Sequence, residues 1–343
     1  MPANATILGG IAGTELTTAE RDFFRAADPW GFILFGRNVD NPEQVRRLTG
    51  DLRDALGRDA VITVDQEGGR VQRLRGPHWT DWPAPLDQAS AGPRAMWLRY
   101  HLIGRELRAV GIDSNCAPTL DVARADTHPF LRNRCFGTDP ATVAMLGRAA
   151  ADGMLAAGVL PVMKHMPGHG RALADSHHGL PVVTTAESDL DAVDFAPFRA
   201  LNDLPMGMTA HIRFTALDDA PATASPRMIA MIRDRIGFDG LLMTDDITMN
   251  ALSGSEAERA AASIAAGCDL VLHCNGAIAA GCDLVLHCNG TIAEMEPVVA
   301  AAGSMTPDAQ RRADAALLRR RPPQDLDPTA LMAEWRGLAT AIA

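Results

Sequence analysis

Short apolar runs alternate with longer amphipathic segments along most of the chain. The runs are rich in Val, Ile, Leu and Met, whereas the segments between them are rich in Ala, Arg, Glu and Asp and place apolar residues at helical spacing. Strands that alternate with helices predict a parallel sheet whose two faces are both covered. The eight runs are 5–11, 31–36, 60–65, 111–121, 159–165, 206–212, 240–246 and 268–274.

The number of these units favours an α/β fold of the (β/α)8 TIM-barrel type. An open doubly wound sheet is the alternative, but it would need a glycine-rich phosphate loop after its first strand, and GGIAGTEL (9–16) does not fit that fingerprint. We therefore expect a single barrel domain over residues 1–343, with C-terminal helices from about residue 292.

Polar residues recur at the carboxyl ends of five consecutive apolar runs. In a barrel these ends meet at one face, where the reactive groups of barrel enzymes lie. A series of helix N-caps in the following loops would also place Asp there, but it would not explain a lysine or histidines. The residues are Asp65, Asp121, Lys164 with His165, His211 and Asp245.

The stretch LLMTDDITM (241–249) offers one carboxylate to this face. Adjacent residues of a strand point to opposite sides, so only one of Asp245 and Asp246 can face the mouth of the barrel. Asp245 is predicted to act as nucleophile or base, and Asp246 fits a helix N-cap for the segment that follows.

The stretch VDQEGGRVQRL (64–74) combines carboxylates and arginines with two glycines. Glycines allow the backbone to approach a ligand closely, and an Asp with an Arg suits sugar hydroxyls and anionic groups. A local surface cluster of Glu67 with a neighbouring arginine is an equally good interpretation.

The stretch KHMPGHGRALADSHHGLP (164–181) holds four of the ten histidines in a segment broken by glycines and prolines. The spacing of Asp175 and His177 suits a carboxylate that orients an imidazole for proton transfer. A metal site built from His165, His169 and His177 is an alternative, although a glycine-containing loop makes a poor rigid cage. A polar surface loop is a third interpretation.

Charge and composition exclude several classes of protein. The net charge of −10 argues against a nucleic-acid binder, and the apolar stretch 259–292 is interrupted by charged residues, so it is a poor membrane span. We expect no signal peptide, reduced cysteines and a cytoplasmic location. A late group of arginines follows a helical pattern that indicates a solvated helix face: Arg311, Arg312, Arg319, Arg320 and Arg321.

Taken together, the motifs DQEGGRVQRL, NRCFGTDP, KHMPGHG, ADSHHGLP and GLLMTDDITM resemble the bacterial β-N-acetylglucosaminidases of glycoside hydrolase family 3, in the short single-barrel form that serves peptidoglycan recycling. The resemblance implies a retaining exo-glycosidase acting on muropeptide fragments that carry terminal N-acetylglucosamine on 1,6-anhydro-N-acetylmuramic acid. It implies Asp245 as nucleophile, His177 as general acid/base and Asp175 as its partner. The implied substrate-binding residues are Asp65, Arg73, Arg134, Lys164, His165, His211 and Met208.

Two positions depart from the family pattern: Met166 stands for a usual Phe, and Gln66 for a common His. The resemblance implies no cofactor, no metal, no nucleic acid and no membrane, and we expect a monomer that binds a small amino-sugar substrate. Three alternatives stay open: a phosphorylase using the same covalent intermediate, a metal-dependent barrel hydrolase, and an inactive sugar-binding barrel.

A tandem duplication lies at the last apolar run. IAAGCDLVLHCNGA (264–277) is followed directly by IAAGCDLVLHCNGT (278–291), identical at 13 of 14 positions. A closed eight-stranded barrel has room for one of them. Using 282–288 as the strand would spare the active-site face, so the second copy is predicted to form it, which would leave Cys268 and Cys274 the more reactive thiols.

Overall fold

The computed structural model describes residues 2–173, 176, 179–274 and 291–340. Each of the eight predicted runs contains a strand, since the Val- and Ile-rich runs suit an extended backbone whose two faces are covered. The strands are β1 (Asn4–Leu8), β2 (Pro29–Leu34), β3 (Val61–Val64), β4 (Ser114–Asn115), β5 (Leu160–Met166), β6 (Met206–Thr209), β7 (Leu241–Met243) and β8 (Val271–His273).

The eight strands form two parallel four-stranded sheets, in the orders β8-β1-β2-β3 and β7-β6-β5-β4. Ile7 of β1 pairs with Leu272 of β8. Hydrogen bonds also run from one sheet to the other: the N–H of Cys116 donates to the carbonyl of Val64 over 2.9 Å, and the N–H of Thr244 donates to the carbonyl of Leu270 over 3.0 Å. The predicted parallel α/β architecture is confirmed.

Two short pairs of strands lie outside the main sheets. Gln66–Gly68 pairs antiparallel with Val71–Gln72, directly after β3. Val182–Val183 pairs in parallel with Arg213–Phe214, which connects the end of the histidine-rich segment to the loop after β6. Both pairs therefore shape loops that follow the carboxyl ends of the strands.

Helices occupy most of the segments between the strands. Several begin at a side-chain cap predicted by ordinary helix chemistry; Thr17 and Ser255 each accept an N–H from a glutamate three residues later. The α-helices are Thr18–Ala27, Pro42–Leu56, Pro85–Gln88, Gly92–Arg108, Pro129–Arg132, Pro140–Ala156, Glu187–Asp189, Ala196–Ala200, Pro226–Met231, Glu256–Ala266, Ile292–Ala302, Pro307–Leu317 and Pro328–Thr340. Short 3-10 helices span Gly36–Asn38, Ala89–Ala91 and Ala222–Ala224, and π-helical turns span Leu190–Asp194 and Ile232–Ile236.

The core lies on both faces of the strands. Consecutive residues of one strand enter different apolar clusters: Leu8 packs with Phe32 and Ile62, whereas Ile7 packs with Ile33 and Val61. Both faces are therefore removed from water, as the uninterrupted apolar runs predict. In the part of the chain that the structure describes, no helix combines the length and the apolar character needed to cross a bilayer.

The eighth strand comes from the first copy of the duplication, so the prediction of the second copy is wrong. The helix Glu256–Ala266 ends at Gly267, and the chain reaches β8 four residues later, where Val271 pairs with Thr6. The first apolar segment after the helix thus takes the position beside β1. Cys268 and Cys274 are both buried, which does not favour the predicted higher reactivity of these thiols. Residues 275–290, which include most of the second copy, lie outside the described residues.

Of the late arginines, Arg311, Arg319 and Arg321 are exposed as predicted, whereas Arg312 and Arg320 are not. The side chains of Arg312 and Arg320 are 16% and 15% exposed, and they pair with the buried carboxylates of Asp269 and Asp113. A helical repeat of charge cannot distinguish a face turned to solvent from one turned to a charged partner.

Candidate active site

The predicted polar residues lie at the carboxyl ends of the parallel strands, where the sequence places them. Asp65 directly follows β3, Lys164 and His165 lie near the end of β5, and Asp245 follows β7 by two positions. All of them are buried or largely buried. Side chains at neighbouring strand ends share one edge, which explains why residues from distant parts of the sequence meet there.

Asp65 and Lys164 form one network of alternating charge with three further side chains, Glu67, Arg73 and Arg134. The Lys164 ammonium lies 2.9 Å from Asp65 and 2.7 Å from Glu67. Arg134 binds Glu67 through two N–H groups, at 2.9 and 2.7 Å. Arg73 donates to the second oxygen of Asp65 at 3.1 Å. The network therefore links the loop after β3, the end of β5 and the segment that contains Arg134.

Opposite charges keep this buried network ionised. Burial by itself raises the pKa of a carboxyl, but Arg134 and Lys164 outweigh burial and lower the pKa of Glu67 to about 2. Lys164 and Arg73 likewise hold the pKa of Asp65 well below its usual range. Burial lowers the pKa of Lys164, yet Asp65 and Glu67 raise it overall. The site thus presents fixed charges to a ligand at neutral pH.

Next to this network lies a carboxylate–imidazole pair. Nδ1 of His165 lies 2.7 Å from Asp121, and Nε2 of His165 lies 3.4 Å from an Arg134 nitrogen. The other oxygen of Asp121 accepts the backbone N–H of His169 at 2.6 Å. Burial lowers the pKa of His169 to about 4, so this ring is neutral at pH 7.

Asp245 and Asp246 have different surroundings. Burial raises the pKa of Asp245, but the neighbouring His165 and His211 and the N–H of Asp246 lower it overall, so the carboxylate is ionised at neutral pH. Asp246 instead accepts hydrogen bonds from the backbone N–H of Thr248 and of Cys274, both at 3.0 Å. Burial raises the pKa of Asp246.

The side chain of Asp246 caps a turn at Thr248, and not the following helix, whose N-cap is Ser255. The helix-cap interpretation of Asp246 is therefore wrong, because nine residues separate it from the helix Glu256–Ala266. Both of its hydrogen bonds to backbone N–H groups hold together loops that begin at the site.

His211 lies between the end of β6 and the loop after β7. Its Nε2 lies 2.9 Å from the carbonyl oxygen of Asp246, which can only accept, so Nε2 carries a proton. Its Nδ1 lies 2.8 Å from the Thr223 hydroxyl. Burial lowers the pKa of His211, so that at neutral pH the proton of the ring lies on Nε2.

Met208 is buried in β6 and belongs to an apolar cluster with Met206 and Met243. It lies at the level of the strands, outside the hydrogen-bonded network. Asp175 and His177 lie outside the described residues. Ser176, between them, is buried, and its carbonyl accepts the N–H of Ala251 at 3.2 Å, in the loop that follows Asp245.

Sequence reasoning missed the importance of Glu67 and Asp121 as partners within the site. The interpretation of Glu67 as part of a local surface cluster is wrong: its side chain is 1% exposed, and it pairs with Arg134, 67 positions away. The position of Asp121 at the end of the fourth apolar run places it at the active-site face, and this is the sequence feature that could have indicated its role. Among the described residues, no three His, Cys, Asp or Glu side chains are grouped so that they could hold a metal ion.

Comparison with known proteins agrees with this geometry. Residues 26–317 match the glycosyl hydrolase family 3 N terminal domain. A beta-hexosaminidase of Bordetella avium is 39% identical over 281 residues, which cover 78% of this chain and 80% of that protein. A beta-hexosaminidase of Pseudomonas aeruginosa is 38% identical over 272 residues, covering 77% of this chain and 81% of that protein.

Solved structures give the same result. NagZ from Neisseria gonorrhoeae, in complex with N-trifluoroacetyl-D-glucosamine, superposes with a TM-score of 0.81 at 30% identity, covering 99% of this chain and 97% of that chain. A family 3 beta-N-acetylglucosaminidase from Paenibacillus superposes with a TM-score of 0.84 at 29% identity, covering 98% of this chain and 68% of that chain. The chain belongs to glycoside hydrolase family 3, among its β-N-acetylhexosaminidases.

Proposed function

We propose that the chain is a retaining exo-glycosidase that releases terminal N-acetyl-β-D-glucosamine through a covalent glycosyl–Asp245 intermediate. The observation that carries the proposal is Asp245 itself: a buried carboxylate, ionised at neutral pH, beside a network of fixed charges at the strand ends. A retaining glycosidase needs such a carboxylate on one side of the anomeric carbon and a proton donor on the other.

In the first step Asp245 forms a bond to the anomeric carbon while the bond from that carbon to the leaving oxygen breaks. His177 gives its proton to the leaving oxygen, and Asp175 orients the imidazole. In the second step His177 removes a proton from water, the water oxygen bonds to the anomeric carbon, and the ester to Asp245 breaks. The roles of His177 and Asp175 rest on their motif and on the position of Ser176. The carbonyl of Ser176 accepts a hydrogen bond from the N–H of Ala251, in the loop after Asp245.

The buried network suits the binding of sugar hydroxyls. Asp65 can accept hydrogen bonds, Lys164 and Arg73 can donate them, and Arg134 presents a planar set of donors held by Glu67. His165 and His211 approach Asp245 from the ends of β5 and β6. We assign these residues to the sugar that is released, with Met208 packing beneath the site.

The closure of the barrel, the substrate and the cellular role are also part of the proposal. We propose that the eight strands close one (β/α)8 barrel, supported by the hydrogen bonds from β3 to β4 and from β7 to β8. Among the described residues, three α-helices lie between residues 292 and 340. We propose muropeptide fragments with terminal N-acetylglucosamine on 1,6-anhydro-N-acetylmuramic acid as substrates, with the protein acting as a cytoplasmic monomer in peptidoglycan recycling.

The decisive assay compares release of 4-nitrophenol from the N-acetyl-β-glucosaminide and from the β-glucoside. We expect rapid release from the first and little from the second, and the reverse would refute the proposed specificity. Identifying the sugar product with and without phosphate distinguishes hydrolysis from phosphorolysis. Free N-acetylglucosamine indicates a hydrolase, and its 1-phosphate would instead indicate a phosphorylase. Loss of activity on chelation, restored by a divalent ion, would indicate the metal-dependent alternative.

A further inference from the structure

Asp121 is a buried carboxylate that touches two parts of the site at once. One oxygen lies 2.7 Å from Nδ1 of His165, and the other accepts the N–H of His169 at 2.6 Å. It follows β4, whereas both partners follow or end β5. These contacts are made by the side chain of Asp121, so the backbone pairing of the strands does not require them.

The partners of His165 determine which of its nitrogens carries the proton. An ionised carboxylate only accepts hydrogen bonds, so Nδ1 must donate to Asp121. Nε2 lies within hydrogen-bonding distance of an Arg134 nitrogen, at 3.4 Å, and guanidinium only donates. A proton on Nδ1 and a lone pair on Nε2 satisfy both neighbours.

We propose that Asp121 is a positioning residue, which holds His165 as the Nδ1–H tautomer so that Nε2 can accept a hydrogen bond from the bound sugar. The inference rests on the proposed function, because it assigns Nε2 to a sugar hydroxyl. Carboxylates that fix the tautomer of a functional histidine from behind act in this manner at many sites. The bond to His169 N–H fixes the chain just beyond β5 at the same time.

A purely structural role is the competing explanation. Asp121 lies beside a close backbone contact, since a Cβ on Gly170 would come within 2.0 Å of the Val122 carbonyl. A second buried carboxylate secures the same segment without touching His165: Asp194 binds Arg171 at 2.7 Å. Asp194 is therefore a matched control for loss of an anchor alone.

The test is a double-mutant cycle in kcat/KM on the 4-nitrophenyl N-acetyl-β-glucosaminide, with Asp121→Ala, His165→Ala and both. A hydrogen bond to a charged group is typically worth roughly 10- to 100-fold, and we expect each single variant to lose activity in that range, mainly through KM. We expect Asp121→Ala to cost less than about threefold once His165 is absent, because both changes remove one interaction. Asp194→Ala should instead multiply with His165→Ala. Losses that multiply for Asp121 as well would overturn the proposal.

A second measurement does not depend on variants that fold or on activity. The side-chain ¹⁵N spectrum of the wild-type protein, with His165 assigned by backbone connectivity, reports which ring nitrogen is protonated. We expect an unprotonated Nε2, and a protonated Nε2 would overturn the proposal. A wild-type protein without hexosaminidase activity would refute the proposed function, and this spectrum would still decide the role of Asp121.

Discussion

The two ends of the parallel strands both carry buried charge, yet they are built differently. At the carboxyl ends, Glu67 and Lys164 belong to strands or to the loops that follow them. At the amino ends, Asp113 precedes β4 and binds Arg53 of the helix Pro42–Leu56 at 3.0 Å and Arg320, which follows the helix Pro307–Leu317. The first cluster joins strand ends to each other, and the second joins helices to the sheet.

The amino-end cluster secures the C-terminal segment. Asp269, just before β8, binds Arg233 at 2.6 Å and Arg312 at 3.0 Å, and it also accepts the N–H of Leu242. Arg312 belongs to the helix Pro307–Leu317. These ion pairs attach the helix Pro307–Leu317 to the amino ends of the strands, and the carboxylate of Asp269 is buried among its partners.

The carboxyl-end cluster keeps polar atoms without partners. Nδ1 of His169 and Nε of Arg73 are buried, and within the part of the chain that the structure describes they have no hydrogen-bond partner. Buried polar atoms are usually satisfied, so exceptions beside a charge network point to a ligand site. At the amino ends, Nε of Arg108, a partner of Asp113, and Oγ of Ser114 are also buried without a hydrogen-bond partner among the described residues. The functional end is therefore distinguished by charges that the strand ends and the loops after them supply to one another.

The largest effect that would test this comparison is at Asp245. Replacing Asp245 by Ala should lower turnover by several orders of magnitude with little loss of stability, because the carboxylate forms the covalent bond. Steady-state kinetics on the 4-nitrophenyl substrate measure it.

Asp246→Ala is the matched control for Asp245→Ala. Asp246 accepts hydrogen bonds from Thr248 and Cys274, so we expect it to cost about 1–3 kcal/mol of stability and much less activity. An inactive Asp246→Ala beside an active Asp245→Ala would reverse the assignment of the two carboxylates.

His177→Ala should have the next largest effect, and it should depend on the leaving group. General acid catalysis is typically worth roughly 10²- to 10⁴-fold, and a poor leaving group needs the proton most. We expect the rate of the glycosylation step to fall by this factor on a disaccharide, and to fall only slightly on the 4-nitrophenyl substrate. Equal losses on both substrates would indicate a binding role.

A pair of charge-neutralising variants compares the two ends directly. Glu67→Gln keeps the shape of the side chain but leaves Arg134 and Lys164 short of a negative charge, so kcat/KM should fall by roughly 10- to 100-fold. Asp113→Asn weakens the bonds to Arg53 and Arg320, so the Tm should fall by several degrees while kcat/KM at 25 °C stays unchanged. Similar kinetic losses in both variants would remove the distinction between the ends.

The sequence predicted the parts of this molecule that depend on local pattern. Apolar runs gave the eight strands, and their polar last residues gave Asp65, Lys164, His165 and Asp245, because strand ends must share one edge. Pairings across the fold were not predictable in this way. Glu67 and Arg134 are 67 positions apart, and nothing near either residue indicates the other.

The choice of the eighth strand was also not predictable from local sequence. The two copies of the duplication are almost identical, so local propensity cannot choose between them. The choice depends on distance along the chain from the helix Glu256–Ala266 to the place beside β1. The inward direction of Arg312 likewise depends on Asp269, which lies 43 positions away.

The smallest predicted effect concerns His169, whose unpartnered ring should make the functional end sensitive to acid. Burial lowers the pKa of His169 from 6.5 to about 4. Between these values the unfolded chain binds more protons than the folded one, so stability is complete above about pH 6.5 and falls as the pH drops towards 4. The contribution is roughly 3 kcal/mol at most, from about 1.4 kcal/mol per pH unit. Replacing His169 by Gln removes this component, so the free energy of unfolding in urea should fall less steeply between pH 6.5 and 4 than in the wild type. The exposed His78→Gln is the control and should follow the wild-type curve. Parallel curves for wild type and His169→Gln would show that the buried ring takes up its proton without cost, and that its burial does not make the functional end sensitive to acid.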